Sequence, residues 1–224
     1  MSPDPAERKR TQVAPKVVDA AQFVLAEDGP AGATLERIAA AAGVSRMTLH
    51  RQGVTKADII RALGERFEAE HKKAMWQALV ASGTAAERLR LALELECRLA
   101  ERNRATLDAL GDPVRAEIFH DAGPAALTRS AFVAPLERLL LDGKIDGTLH
   151  ADDPRETATV LYNAVGHTYR HLRGGHGWSA KRAREGVLAL VLEGLVRAPA
   201  VADSEAGGAP AATGDAPAAA GDGR

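Results

Sequence analysis

Hydrogen-bonding and cationic side chains are concentrated in one short segment near the N-terminus. Residues 46–51, RMTLHR, contain a single strongly apolar aliphatic residue, Leu49, among polar and basic neighbours. In a helix, Leu49 would be buried and its neighbours would project donors, acceptors and a cation at the width of a DNA major groove. The pattern therefore predicts that this helix contacts the edges of DNA bases. The side chains of this region predicted to contact DNA are Ser45, Arg46, Met47, Thr48, His50, Arg51 and Gln52.

The residues before this segment predict a helix and a tight turn. Thr34 is placed to cap a helix whose apolar stripe is interrupted at Gly43, and Ser45 is placed to cap the next helix. Glycine adopts the left-handed backbone conformation at low cost, so Gly43 allows the chain to reverse. Small residues around Ala39 suit two helices that cross closely. The sequence therefore predicts a helix-turn-helix, and Thr34 is included among its DNA contacts.

A third helix is predicted to begin at Thr55-Lys56. The N-terminal end of a helix carries partial positive charge, and the Lys56 ammonium adds to it. We expect this end to bind a DNA phosphate. Such a contact would position the predicted helix over residues 46–51, called the reading helix below, without specifying the DNA sequence.

Residues 34–56, TLERIAAAAGVSRMTLHRQGVTK, resemble the DNA-binding domain of the tetracycline-repressor (TetR) family, whose usual pattern is close to IAxxAGVSxxTLYxHFxSKExLL. This chain has His50 in place of the family's Tyr, Gln52 in place of its His, and Gly53-Val54 in place of Phe and the residue after it. The family's Phe packs against the first helix, so we expect either that Val54 compensates or that the reading helix is held less firmly. The resemblance implies an all-α protein: an N-terminal three-helix DNA-binding domain followed by a helical ligand-binding and dimerisation domain.

Composition agrees with a helical protein. The chain has 224 residues, 46% hydrophobic and only 4% aromatic, and its periodic segments are long. Cys97 is the single cysteine, so no disulfide within the chain is possible. No apolar run resembles a signal peptide or a membrane span, so a cytoplasmic protein is expected. Residues 1–56 contain eight Lys and Arg against six Asp and Glu, a mild basic excess.

Glycine and proline positions, together with changes in composition, divide the chain into four parts. We predict a disordered N-terminal arm over residues 1–12, a helix-turn-helix DNA-binding domain over 13–60, a ligand-binding and dimerisation domain over 61–198 and a disordered tail over 199–224. Helices are expected over about 15–28, 55–82, 85–111, 113–120, 124–141, 155–173 and 179–197. Pro135 is expected to kink or break its helix, and residues 143–154 are expected to form a loop.

The last two predicted helices indicate a homodimer. Apolar residues cover about 200° of the final helix, wider than the ~100° stripe of a helix buried on one side. Two sides must then be buried, one of them against a partner chain, unless the helix lies wholly inside one subunit. The resemblance implies the same arrangement, a four-helix bundle. The predicted interface residues are Ala164, His167, Val187, Val191, Gly194 and Leu195.

The long helix after Thr84 carries polar residues on its apolar side. Glu96 and Asn103 fall within the arc marked by Leu89 and Leu93. A buried carboxylate needs a partner, either Arg104 or another protein cation, or a ligand in a cavity. If no protein cation neutralises Glu96, a cationic or amphipathic small molecule is the predicted ligand. The predicted ligand-binding residues are Trp76, Glu96, Asn103, Phe119, His120, Tyr162 and Tyr169.

No enzyme motif accompanies these features. The chain lacks a phosphate-binding loop, a nucleophile elbow and cysteine pairs with metal spacing. His167 and His171 are one helical turn apart but have no third ligand at readable spacing, so no metal site or cofactor is predicted. We therefore expect a non-enzymatic, ligand-responsive transcriptional regulator that binds a double-stranded DNA operator and acts as a repressor. The alternative is a small-molecule-binding or scaffolding dimer with a degenerate helix-turn-helix.

Overall fold

The structure, a computed structural model, describes residues 12–109 and 131–193. Over these residues it is helical and contains no strand, which confirms the predicted all-α fold. The helices are α1 (Pro15–Gly32), α2 (Leu35–Ala41), α3 (Arg46–Arg51), α4 (Lys56–Leu79), α5 (Ala85–Arg102), α6 (Ala134–Asp146), α7 (Pro154–Gly174) and α8 (Ala180–Glu193). No helix of the described part of the chain is long and apolar enough to cross a membrane.

Two apolar cores divide the helices, and α4 belongs to both. Helices α1, α2 and α3 surround the first core, to which α4 contributes Ile59 and Leu63. The second core contains α5 to α8, and α4 enters it with Phe67 and Met75. A tilt of α4 would therefore move side chains in both cores, because side chains in a packed interior shift together.

Threonine and serine side chains set the N-terminal ends of the helices, as the sequence predicts. Thr34 accepts a hydrogen bond from the Arg37 N–H, and Ser45 accepts one from the Thr48 N–H. Thr84 forms a reciprocal capping box with Glu87. Each side chain satisfies a backbone donor that has no partner within the helix.

Several predicted boundaries differ from the structure. Gly29, with φ 69°, breaks α1 near the expected position, but another helical turn continues to Gly32. Helix α5 ends at Arg102 rather than near residue 111, because Asn103 leaves the helical conformation, and residues 104–109 are helical again. The expected helix over residues 113–120 lies outside the described residues.

Helix α6 also differs from its prediction. Residues 131–132 are helical, Val133 is in a turn, and α6 begins at Ala134 with Pro135 in its first turn, so the predicted break at Pro135 is confirmed. Residues 143–146, expected in a loop, continue α6 as far as Gly147, which ends it with φ 74°. Leu149 then packs against Gly143, where a Cβ would have no room. This close contact favours the helical conformation of a segment that the sequence pattern alone assigns to a loop.

Candidate DNA interface

A tight turn sets the angle between α2 and α3. Gly43 has φ 65°, and its N–H donates to the Ala40 carbonyl. The Val44 N–H donates to the Ala39 carbonyl, which completes the end of α2. Ala39 is buried between the helices. The left-handed glycine and the small residue together permit the steep crossing of a helix-turn-helix.

Two apolar residues hold α3 against the first core. Leu49 and Val54 are only 1% and 5% exposed. Gly53 lies between Val54 and the end of α3 with φ 67°, and its N–H donates to the His50 carbonyl. Gly53 therefore ends the helix in the left-handed conformation and turns Val54 inward. Val54, one position after the place of the family's Phe, provides the apolar contact that Gly53 cannot make.

The outer face of α3 is open to solvent. Arg46, Met47, His50, Arg51 and Gln52 are exposed, and Thr48 is half-buried. Met47 is 64% exposed, unusual for a large apolar side chain. Guanidinium, imidazole and amide groups are the donors and acceptors that read base edges, and an apolar group suits the thymine methyl. The structure thus gathers the predicted α3 contacts on one accessible face.

Arg46 of α3 and Arg37 of α2 each form an ion pair with a carboxylate. An Arg46 guanidinium nitrogen lies 2.8 Å from Glu36 Oε1, and Arg37 donates to Asp28 at 2.6 Å. Sequence analysis missed Glu36 as the partner of Arg46, although both flank the predicted turn. Exposed ion pairs contribute little stability, so a phosphate or a guanine can compete for Arg46 at small cost.

The N-terminal end of α4 is capped by its own residues. Thr55 and Asp58 form a reciprocal capping box. The Thr55 hydroxyl and N–H, both donating to the carboxylate, lower the pKa of Asp58. Lys56 Nζ is 3.4 Å from the Pro30 carbonyl oxygen and is exposed. Because Asp58 and Thr55 already occupy part of this helix end, a phosphate here would depend chiefly on the Lys56 ammonium.

A buried polar pair lies in the second core. His71 Nε2 on α4 is 2.7 Å from Glu96 Oε2 on α5, and both residues are almost fully buried. The His71 ring is 4.5 Å from the Phe132 ring and 6.1 Å from the Tyr162 ring. The predicted burial of Glu96 is correct, but its partner is His71 and not Arg104. Phe67 and His71 share one face of α4 with i, i+4 spacing, a signal that sequence analysis did not use.

The other predicted ligand-binding residues lie in different places. Tyr162 is buried beside the pair, where removal from water raises its pKa well above the usual value. Trp76 is 65% exposed and does not line this region, because it projects from the outer side of α4. The Tyr169 hydroxyl donates to Glu101. Phe119 and His120 lie outside the described residues.

Asn103 is buried, as predicted, but its amide is bonded within the protein. It donates to Glu70 and to the Leu99 carbonyl and accepts from Gln22. Its polar atoms are therefore not directed toward a ligand in this structure.

The predicted dimer residues are divided between core and surface. Val187 is 5% exposed and belongs to the core of its own subunit, so it presents no surface to a partner. Ala164 and Val191 are half-buried, and His167 is exposed. Gly194 lies outside the described residues, as does Leu195. Val160 and Leu190, which are not among the predicted interface residues, are 65% and 78% exposed on α7 and α8.

The fold and the exposed reading helix define a helix-turn-helix protein of the kind that regulates transcription. Residues 17–63 match the sequence model of the family described as bacterial regulatory proteins, tetR family. Over these residues the chain is therefore similar to that family. A search of curated proteins gives no match.

Solved structures resemble the chain over most of its length. A TetR/AcrR-family transcriptional regulator from Thermobifida fusca is 23% identical with a TM-score of 0.62, covering 80% of this chain and 96% of its own. SmeT, the repressor of the Stenotrophomonas maltophilia multidrug efflux pump SmeDEF, is 21% identical with a TM-score of 0.61 over 84% and 93%. FadR from Bacillus subtilis, solved with stearoyl-CoA, is 20% identical with a TM-score of 0.62 over 80% and 97%. At these identities the similarity establishes a shared fold.

Proposed function

We propose that this protein is a homodimeric transcriptional regulator that binds a double-stranded DNA operator and is released from it by a small molecule. The observation that carries the proposal is the outer face of α3, where Arg46, His50 and Arg51 are exposed while Leu49 anchors the helix. A short helix held by one buried residue and presenting polar groups is suited to the major groove.

The proposed dimer places α7 and α8 against the same helices of a second chain. Val160 and Leu190 support this arrangement, because large apolar side chains this exposed favour contact with a partner. Gly166 on α7 has open space where a Cβ would stand, which allows a close approach of helices. A two-fold axis through this bundle would place two α3 helices on one side of the dimer, as palindromic half-sites require.

The proposed ligand binds in the C-terminal domain, near the pair formed by His71 and Glu96. Neither ring nitrogen of His71 makes a well-aligned hydrogen bond to the residues described, although Nε2 lies 2.7 Å from Glu96 Oε2. Buried polar atoms are rarely left without such a bond. A ligand that alters the contact between α4 and α5 would tilt α4 and change the spacing of the two reading helices. The complex of FadR with stearoyl-CoA and the repressor role of SmeT support this proposal by analogy.

We propose a cationic or amphipathic ligand whose positive group takes the place of His71 beside Glu96. The surrounding aromatic rings favour such a group. A Glu96→Gln variant retains the shape and removes the charge. It should bind DNA normally but respond less to amine-bearing compounds than to neutral ones in a calorimetric screen. Equal responses of both variants to every compound would make Glu96 a residue of the internal pair alone.

The test of the proposed function is a footprint on the DNA upstream of the protein's own gene. A dimer of this kind should protect two half-sites whose centres are about one helical turn, or a multiple of it, apart. The compound that binds the protein should abolish the protection. A protein that binds compounds but protects no DNA would instead fit the alternative, a small-molecule-binding or scaffolding dimer with a degenerate helix-turn-helix.

A further inference from the structure

One buried amide joins three helices at the junction of the two cores. Asn103, which follows α5, is 4% exposed. Its Oδ1 accepts from Gln22 Nε2 of α1 at 3.3 Å, and its Nδ2 donates to Glu70 Oε2 of α4 at 3.1 Å. The same Nδ2 donates to the Leu99 carbonyl at 3.2 Å. Because Glu70 and Leu99 supply acceptors, the amide nitrogen must face them, which fixes the orientation of the side chain.

A second polar contact joins α1 to α4 beside the first. Arg66 of α4 forms an ion pair with Asp19 of α1, and its Nε lies 3.7 Å from Glu70 Oε1. Asp19 and Gln22 are one helical turn apart on α1 and therefore share a face. A continuous polar network then runs from Asp19 through Arg66, Glu70 and Asn103 to Gln22.

Apolar packing at the same junction is loose. Ala105 and Ala109, which follow Asn103, pack against the first core only through their methyl groups. A cavity of about 160 Å³ remains there, lined by Ala109 and by residues of α1, α2 and α4. Apolar contact is non-directional, and a junction that is not close-packed does not fix one angle between the domains. Directional hydrogen bonds from Asn103 supply that constraint.

The last turns of α5 also contact the helices proposed to form the dimer. Glu101 accepts from Arg173 of α7 at 2.6 Å and 2.8 Å, and from the Tyr169 hydroxyl. Glu96, seven residues before Asn103, contacts His71 of α4. The end of α5 thus links α7 through Glu101 and the DNA-binding domain through Asn103, only two residues apart.

We propose that Asn103 is a positioning residue that fixes the angle of the DNA-binding domain on the C-terminal domain. It transmits movements of α4 and α5 to α1 through Glu70 and Gln22. The inference rests on the proposed function, since the angle matters because it sets the separation of the two reading helices. Asn103 itself touches neither DNA nor ligand.

The test inverts the hydrogen bond between Asn103 and Glu70. The bond from Asn103 to the Leu99 carbonyl joins no second helix and is lost in both variants that carry Asn103→Asp. The Asn103→Asp variant places a carboxylate against Glu70, and two carboxylates at this distance repel unless they share a proton. The charged groups that face it are Glu70 and Arg66 of α4 and Asp19 of α1. In the double variant Asn103→Asp with Glu70→Gln, the amide at position 70 can donate to the carboxylate at position 103. This restores the hydrogen bond between the two side chains with its direction reversed. Glu70→Gln alone is the matched control, because its amide oxygen can still accept from Asn103.

The readout is the distance between spin labels on Ala40→Cys in α2 and Lys144→Cys in α6, two exposed positions. Labelled chains are diluted with unlabelled chains so that each distance is measured within one chain. The native Cys97 should stay unlabelled, because it is 1% exposed and burial raises its pKa to about 12.

The parent chain and Glu70→Gln should each give one narrow distance distribution. Asn103→Asp should give a broad distribution at pH 8 that narrows near pH 5, and DNA affinity at pH 8 should fall about tenfold. The double variant should be narrow at both pH values. A narrow distribution for Asn103→Asp at pH 8, or a double variant as broad as the single, would overturn the role of Asn103. A parent chain that binds no DNA would contradict the proposed function. The distance between the two spin labels would still test whether Asn103 fixes the angle between the domains, because that measurement needs no DNA.

Discussion

His71 and Glu96 form a buried contact of 2.7 Å that joins the linking helix α4 to the central helix α5. The Phe132 and Tyr162 rings lie beside it, so water cannot stabilise either group. Removing one partner of such a pair leaves a buried charge or polar group uncompensated, which costs more than the intact pair contributes. The α4–α5 contact is therefore sensitive to the loss of either side chain.

The first prediction concerns the stability contributed by this pair. Glu96→Ala should lower the free energy of unfolding in urea by about 3–5 kcal/mol, because His71 is left buried and a cavity forms. Glu94→Ala on the same helix is the control. Its ion pair with Arg98 is open to solvent, with side chains 30% and 51% exposed, so the loss should stay below about 1 kcal/mol. Similar losses for the two variants would contradict the account of a buried pair.

The second prediction concerns acid stability. Hydrogen bonds from Arg173 lower the pKa of Glu101 to about 2, from 4.5 for the free side chain. A lowered folded-state pKa means that the stabilisation is complete above pH 4.5 and is lost as the pH falls from 4.5 toward 2. Glu101→Gln should therefore reduce stability at pH 7 and flatten this part of the stability profile. Parallel profiles of variant and parent from pH 5 to pH 2 would show that the ion pair contributes nothing.

The third prediction separates the proposed dimer surface from the core. Leu190→Glu should produce a folded monomer, because Leu190 is 78% exposed within its own subunit. Val187→Glu, three residues earlier on α8, should instead unfold the chain, since Val187 is buried. Light scattering and circular dichroism distinguish these outcomes. A Leu190→Glu protein with the same mass in solution as the parent would place any dimer contact elsewhere.

The fourth prediction concerns the phosphate contact of α4. Lys56→Ala should weaken binding to specific and unrelated DNA by the same factor and reduce the salt slope by about one. Lys72→Ala, an exposed lysine further along α4 and paired with Glu68, is the control and should change neither. An unchanged slope in Lys56→Ala would remove Lys56 from the DNA interface.

Local features of the fold were predictable from sequence, and contacts between distant helices were not. The caps at Thr34 and Ser45 and the turn at Gly43 depend on residues within four positions, so spacing alone identifies them. The burial of Glu96 follows from helical periodicity. Its partner His71 depends on how α4 packs against α5, which no local pattern encodes. Trp76 shows the same limit, because size suggested burial while the packing of α4 turns it outward.

Specific DNA binding through α3 is the central claim, and one titration tests it most directly. Fluorescence anisotropy at fixed salt should show the parent protein binding the protected upstream duplex at least about 10³-fold more tightly than a scrambled duplex. Arg51→Ala should lose about 1–3 kcal/mol on the specific duplex and much less on the scrambled one, while its circular dichroism and mass in solution match the parent. Equal affinity of the parent for both duplexes, with Arg51→Ala unchanged on each, would contradict the account.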